Sequence, residues 1–343
     1  MKEEHPKFTL QVLSLTKQYM NISAVMKAIY AATNGISDNL EINEITTGSE
    51  DKTVHAIEIT VPVIPDKNIK TTVRLCTDPE TGLIPKLTPF DIAVLDSVYT
   101  IVTNSGSMAV TTDYIQKTLS LEQNQRETPK KTQRIMDSLE TLGRIRIEID
   151  CSEECRARRI MDHCGTFSGN LLELGNPFIT TFHVNGKPVK VFPLKNIPVT
   201  HQYAEMINQI IGFPADLLYT DKGGKINITI DAMVIRRYVV RRVLQIIDRS
   251  PKSRLRNKKL SLLWENNHRI LKGLFAELGY TPDTSVKWRT KVKPRIVKVV
   301  KDTLNILCDK QYISYHEYRA DGTKNPASPV MGYEITPKCS FKS

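Results

Sequence analysis

Thr128-Pro129-Lys130-Lys131-Thr132-Gln133-Arg134-Ile135-Met136 opens a helix, and the fold is read outward from it. Pro129 suits the first helical position, where its missing N–H costs nothing and its fixed φ is already helical. Ile135, Met136, Leu139 and Leu142 fall on one face, and Gly143 supplies the stop. The first two turns carry Lys130, Lys131, Gln133 and Arg134, all long hydrogen-bond donors. Directly afterwards Arg144-Ile145-Arg146-Ile147-Glu148-Ile149-Asp150 alternates apolar with polar, the pattern of a half-buried strand.

On the N-terminal side, Leu87-Thr88-Pro89-Phe90-Asp91 is another helix start, with Thr88 as N-cap and an acid three residues later. Ile92, Leu95, Val98, Tyr99 and Val102 share its apolar face, and Asn104-Ser105-Gly106 ends it. A short second helix spans Thr111 to Leu119. Three helices followed at once by a strand is the order of a winged helix-turn-helix, whose third helix lies in the major groove while a strand pair forms the wing. The competing reading is a three-helix-plus-hairpin domain that binds protein. Clustered donors at the start of the third helix favour DNA.

The order recurs towards the C-terminus. Lys259 to Leu278 reads as a long helix with Leu262, Leu263, Ile270, Leu271, Leu274 and Phe275 as core, stopped by Gly279. A short helix around Val286-Lys287-Trp288 follows. Pro294 then opens a helix whose Ile296, Val297, Val300, Leu304 and Leu307 face inward, while Lys293, Arg295, Lys298 and Lys301 line the other side. Tyr312 to Tyr318 and Met331 to Ile335 would form a second wing, its tip bearing Arg319 and Lys324.

Residues 1–80 read as a small α+β unit, with a helix through Val25, Ile29, Tyr30 and Ala32 and a hairpin of His55–Val63 with Thr71–Leu75. Phe178–Phe192 reads as a hairpin turning at Asn185-Gly186, and a helix is expected around His201–Ile211. The long helix Asp231–Ile247 bears Arg236, Arg237, Arg241 and Arg242 in pairs. Ser250–Asn257, with Arg254 and Arg256, reads as a linker. The expected fold class is therefore α+β: a unit at 1–80, a first winged-helix domain with a β insert at 81–230, a linking basic helix and linker at 231–258, and a second winged-helix domain at 259–343.

Charge sharpens the expectation of DNA. Residues 236–301 hold nineteen Lys/Arg against Asp248, Glu265, Glu277 and Asp283, a local +15 in a chain of net +11, so the remainder is net acidic. Basicity concentrated in this way suits a polyanion, because each cation that meets a phosphate releases a condensed counterion. The bland alternative is a solvated basic face, but here the run overlaps apolar-periodic helices. No apolar run is long enough to span a bilayer or suits a signal peptide, and six scattered cysteines make no disulfide framework, so a cytoplasmic protein with reduced thiols is expected.

Motifs for chemistry are weak. Gly223-Gly224-Lys225 lacks the spacing of a phosphate loop, and no His-x-His pair is present. Cys151, Cys155, His163 and Cys164 depart from zinc-site spacings and are interrupted by arginines, so no metal is expected. Tyr238 sits among arginines like a DNA-cleaving tyrosine but lacks an activating partner in the sequence. Neither enzyme activity nor a cofactor is expected.

The two blocks Leu87–Asp150 and Lys259–Ile335, with the T-P-F-D-I-A-V-L-D-S-V-Y opening and the T-P-K-K-T-Q-R-I helix, resemble the plasmid replication initiator proteins built from tandem winged helices. The resemblance spans about 250 residues, from Leu87 to Ile335. It implies that one winged helix mediates dimerisation or binds part of an origin repeat, that the other binds the repeat strongly, and that host replication proteins are partners. By position, Lys130, Lys131, Gln133 and Arg134 match the first recognition helix, and Arg295, Lys298 and Lys301 the second. The N-terminal unit and the insert at 151–230 depart from the pattern. A transcriptional regulator and a winged-helix scaffold for other proteins are the alternatives.

Overall fold

The computed structural model describes residues 17–35, 40–47, 54–64, 67–78, 80–120, 129–160, 165–181, 188–218, 229–248, 259–262, 273–278, 285–319 and 330–338. It is a mixed α+β fold with several antiparallel sheets. The chain begins with β1 (Lys17–Asn21), α1 (Ala24–Thr33), β2 (Glu41–Thr47), β3 (Val54–Ile64) and β4 (Ile69–Cys76). Ser23 caps α1 through its side chain, and the expected hairpin is β3 with β4.

Next come α2 (Pro89–Ser105), β5 (Ala109–Thr111), α3 (Thr112–Ser120) and α4 (Pro129–Arg144). The start of α2 is a capping box: Asp91 N–H donates to Thr88 Oγ1, and Asp91 Oδ2 accepts from Thr88 N–H at 2.7 Å. Its end is Gly106 at φ 66, the left-handed conformation that glycine adopts without steric cost. Leu95, Ile115, Leu139 and Leu142 fill the space between the three helices.

The strand after α4, expected in a wing, joins a larger sheet. In β6 (Arg146–Asp150), Glu148 pairs with Arg74 of β4. After α5 (Ser152–Arg158), the other edge of β6 pairs with β7 (Thr166–Asn170), completing the sheet β2-β3-β4-β6-β7. The alternation in residues 144–150 specifies a buried face but not a neighbour, and the neighbour is the N-terminal hairpin. One continuous core runs from Val25 through Val73, Leu95 and Ile147, across the boundary expected at residue 80.

The hairpin of β8 (Phe178–Thr181) and β9 (Pro188–Pro193) closes instead on β5, giving the strand order β5-β9-β8; its tip at Asn185-Gly186 lies outside the described residues. Then follow α6 (Val199–Met206) and β10 (Ile210–Pro214), the latter in the place where the expected helix around His201–Ile211 was to continue. Strand β10 pairs with β1, which rests on α2, while Met20 and Phe213 from this ribbon enter the second core.

Helix α7 (Ile230–Asp248) opens the C-terminal half, followed by β11 (Lys259–Ser261), α8 (Leu274–Glu277), α9 (Lys293–Asp309), β12 (Ile313–Arg319) and β13 (Val330–Pro337). The helix expected from Lys259 begins as a strand: Leu260, flanked by polar Lys259 and Ser261, is buried opposite Tyr333 of β13. Leu262, Leu274 and Phe275 are core as expected, whereas Leu263, Ile270 and Leu271 lie outside the described residues. Helix α7 is more than a link, since Val239, Val243 and Ile247 share one core with Val300, Leu304 and Tyr333.

Candidate nucleic-acid interface

Helix α4 is pinned to the start of α2. Ser138 Oγ donates to Asp91 Oδ1 at 2.6 Å, so the carboxylate that caps α2 also holds α4. Arg134 lies with its guanidinium 5.5 Å from the Phe90 ring centroid and its Nη2 3.5 Å from Thr88 Oγ1. It is half-buried and partly committed to this packing. Gln133 is exposed and donates to Asp137 at 2.8 Å. Lys130 is exposed and Lys131 half-buried in the first turn.

The second basic helix begins earlier than Pro294. Residues 286–309 are helical throughout, passing through a π turn at Trp288–Val292. Ser285 Oγ accepts from Trp288 N–H at 3.1 Å, and the buried Trp288 ring meets Phe275 edge-on at 5.3 Å. These contacts fasten the entry turn to the core and leave Lys287, Arg289 and Lys291 exposed, with Lys293 half-buried beyond them. The cations further along have partners. Arg295 donates to Thr229 at 3.0 Å, Lys298 meets Asp302 at 2.9 Å, and Lys301 and Arg319 both meet Glu317 at 2.6 Å. The Lys301 hydrogen bond, aided by both positive charges, holds the Glu317 carboxyl below its ordinary pKa despite some burial.

Lys287, Arg289 and Lys291, on this entry turn, are not among the candidate residues that the sequence reading gives, because proline marks a helix start and places it at Pro294. The signal was present: residues 285–301 contain seven Lys/Arg and no acid.

Charge placement on these helices runs against their dipoles. A helix N-terminus carries partial positive charge and is stabilised by acids there. Helices α2, α3, α5 and α7 follow that rule with Asp91, Asp113, Glu153 and Glu154, and Asp231. Helix α4 and the 286–309 helix have no acid in the first turn and place two cations each there, whereas α1, also without an acid, has Lys27 alone. Each such cation costs about 0.3–1 kcal/mol of helix stability at low salt. An anion held at both ends would relieve the cost.

The arginine pairs of α7, which the sequence reading counts among the DNA-binding residues of the basic window, do not form an exposed track. Arg236 and Arg237 are only 7% and 3% exposed, so neither presents a face to a duplex in this arrangement. Arg241 donates to Asp96 Oδ2 of α2 at 2.6 Å, Arg237 Nη2 lies 3.8 Å from the same oxygen, and Arg237 Nη1 donates to Gln18 at 3.0 Å. Asp96 Oδ1 accepts from the Asn21 N–H at 3.1 Å and lies 3.2 Å from His201 Nε2. Burial pushes the Asp96 carboxyl upward, but Arg241, the His201 hydrogen bond and Arg237 outweigh it and hold its pKa at about 2. For Arg237, burial wins and lowers the pKa to about 10. The i, i+4 spacing of Arg237 and Arg241 aims both at one carboxylate, which explains their burial. Arg242 donates to the Lys259 carbonyl at 3.1 Å. Arg254, Arg256 and Lys324 lie outside the described residues.

Cys151 and Cys155 are buried with their sulfurs 3.8 Å apart, and burial pushes the Cys151 thiol pKa up. His163 and Cys164 lie outside the described residues. Among the described residues no helix is long and apolar enough to cross a membrane.

No protein-family model matches this chain, and no curated protein does. Among solved structures it is similar to domains 2 and 3 of RctB at 10% identity and a TM-score of 0.35, over 90% of this chain and 98% of that one. At that TM-score the likeness assigns neither a family nor a function.

Proposed function

We propose that this protein is a sequence-specific double-stranded DNA-binding protein that initiates replication of a plasmid or other mobile element, using two winged helices and no catalytic step of its own. The observation that carries the DNA reading is the pairing of two cations in the first turn of α4 and of the 286–309 helix, where α1 has one, Lys27, and the acid-started helices have none. Support for the winged helices comes from strand order. Helix α2, β5, α3, α4, β8 and β9 correspond in sequence to α7, β11, α8, α9, β12 and β13. Both sheets place the last strand between the first and the second, as β5-β9-β8 and β11-β13-β12. On this reading the first wing is β8–β9, and β6 with β7 belongs to the insert. Replication initiation, rather than repression, rests on the sequence resemblance, and host replication proteins would be the partners recruited.

The first test is fluorescence anisotropy on duplex DNA between low and moderate salt. With six or more phosphate contacts, log K falls against log salt with a slope of about −5. A flat response ends the DNA reading. The second test places the gene's flanking DNA on a replicon lacking its own origin. Autonomous replication that depends on this protein supports the initiator, whereas repression of a nearby promoter without replication makes it a regulator.

A further inference from the structure

The four basic side chains at the entry of the 286–309 helix differ from those further along in one respect. Lys287, Arg289, Lys291 and Lys293 have no side-chain partner among the described residues, whereas Arg295, Lys298, Lys301 and Arg319 are each engaged within the chain. Among the four, Arg289 is the one guanidinium. Lysine is a point charge suited to phosphate, while arginine presents a planar fork that matches the N7 and O6 acceptors of guanine. The Trp288 ring beside it is buried against Phe275, so the backbone from which Arg289 projects is held by the core rather than by a loop.

We propose that Arg289 is the base-reading side chain of the C-terminal half, donating to a guanine edge in the major groove, with Lys287, Lys291 and Lys293 on the flanking phosphates. This rests on the DNA reading above. It moves the point of recognition from the Lys298–Lys301 face to the entry of the helix.

The test begins by selecting bound sequences from a random duplex library with the full wild-type chain, then measuring affinity for the selected duplex and for a scrambled one. Arg289→Ala lowers affinity for the selected duplex about tenfold or more and changes the scrambled duplex less than about twofold. Arg289→Lys keeps the charge but loses the planar fork, so it restores affinity for the selected duplex only in part. Lys291→Ala weakens both duplexes alike and reduces the salt slope by about 1. Selection repeated with Arg289→Ala yields sites that have lost one guanine preference. Equal losses on both duplexes for Arg289→Ala make Arg289 a phosphate contact and overturn the assignment while DNA binding stands. A wild-type chain that enriches no sequence and binds no duplex instead overturns the functional reading itself.

Discussion

Asp96 brings one negative charge into a junction that Arg237 and Arg241 enter with two positive ones. Arg237 Nε and Nη2 and Arg241 Nε make no hydrogen bond among the described residues, so this carboxylate is the principal compensation for two guanidiniums, one of them fully buried. Removing one partner of such a cluster leaves uncompensated buried charge and costs about 3–5 kcal/mol. Asp96→Asn is therefore expected to lower the unfolding free energy measured in urea by an amount of that order. The pH response has a definite sign. The folded pKa is about 2 against an ordinary 3.8, so the stabilisation is fully present above pH 4 and disappears as pH falls towards 2. It is worth about 2 kcal/mol. Acid unfolding followed by circular dichroism should show wild type losing more stability between pH 5 and pH 2 than Asp96→Asn; parallel curves would mean that Asp96 is not ionised in the folded state. Asp96 was not legible in the sequence as a partner, because it lies within a helix whose neighbours Leu95 and Val98 read as core. The arginines were legible as cations but not as buried ones.

Among the elements, those with local chemistry were readable and those with long-range pairing were not. The Thr88–Asp91 capping box, Pro129 at the start of α4 and Gly106 at the end of α2 each act within a turn of their own position, and all appear where the sequence places them. Strand β6 is legible as a strand from its alternation, but its pairing with β4 is long-range and is not. Residues 259–261 read as helix in the sequence but pair with β13, because a short edge strand has too few residues to show a period. The helix of residues 286–309 was divided at Pro294, since proline marks first turns; the preceding π turn is a local geometry that periodicity does not signal. Charge against the dipole gives this element its own test. Lys287→Glu should stabilise the fold by about 0.3–1 kcal/mol in a thermal melt at low salt, while weakening DNA binding. Lys130→Glu should do the same at α4. A gain in stability with unchanged DNA affinity would leave those helix starts basic for a reason other than DNA.

Across the whole molecule, the two helix–strand–helix–helix–strand–strand sets are not beads on a linker. Helix α2, the first helix of one set, meets α7, the first helix of the other, through Asp96 with Arg237 and Arg241, and the β1–β10 ribbon packs on α2 while feeding Met20 and Phe213 into the second core. The basic window therefore divides into two populations with different work. Arg237 and Arg241 belong to the junction, whereas Lys287, Arg289, Lys291 and Lys293 face solvent or its edge. Counting charge along the sequence merged them, because exposure is not written in a charge run. Two charge reversals of equal formal size separate them. Arg241→Glu places a second carboxylate beside Asp96 and should lower stability by several kcal/mol, as for a broken buried pair, while DNA affinity per folded molecule changes little. Lys291→Glu lies on an exposed turn and should leave the unfolding free energy within about 0.5 kcal/mol of wild type. It should also flatten the salt dependence of duplex binding and reduce affinity at low salt. If Arg241→Glu abolishes binding at full stability, the α7 arginines reach DNA through an opened junction, and the division between structural and DNA-facing cations fails.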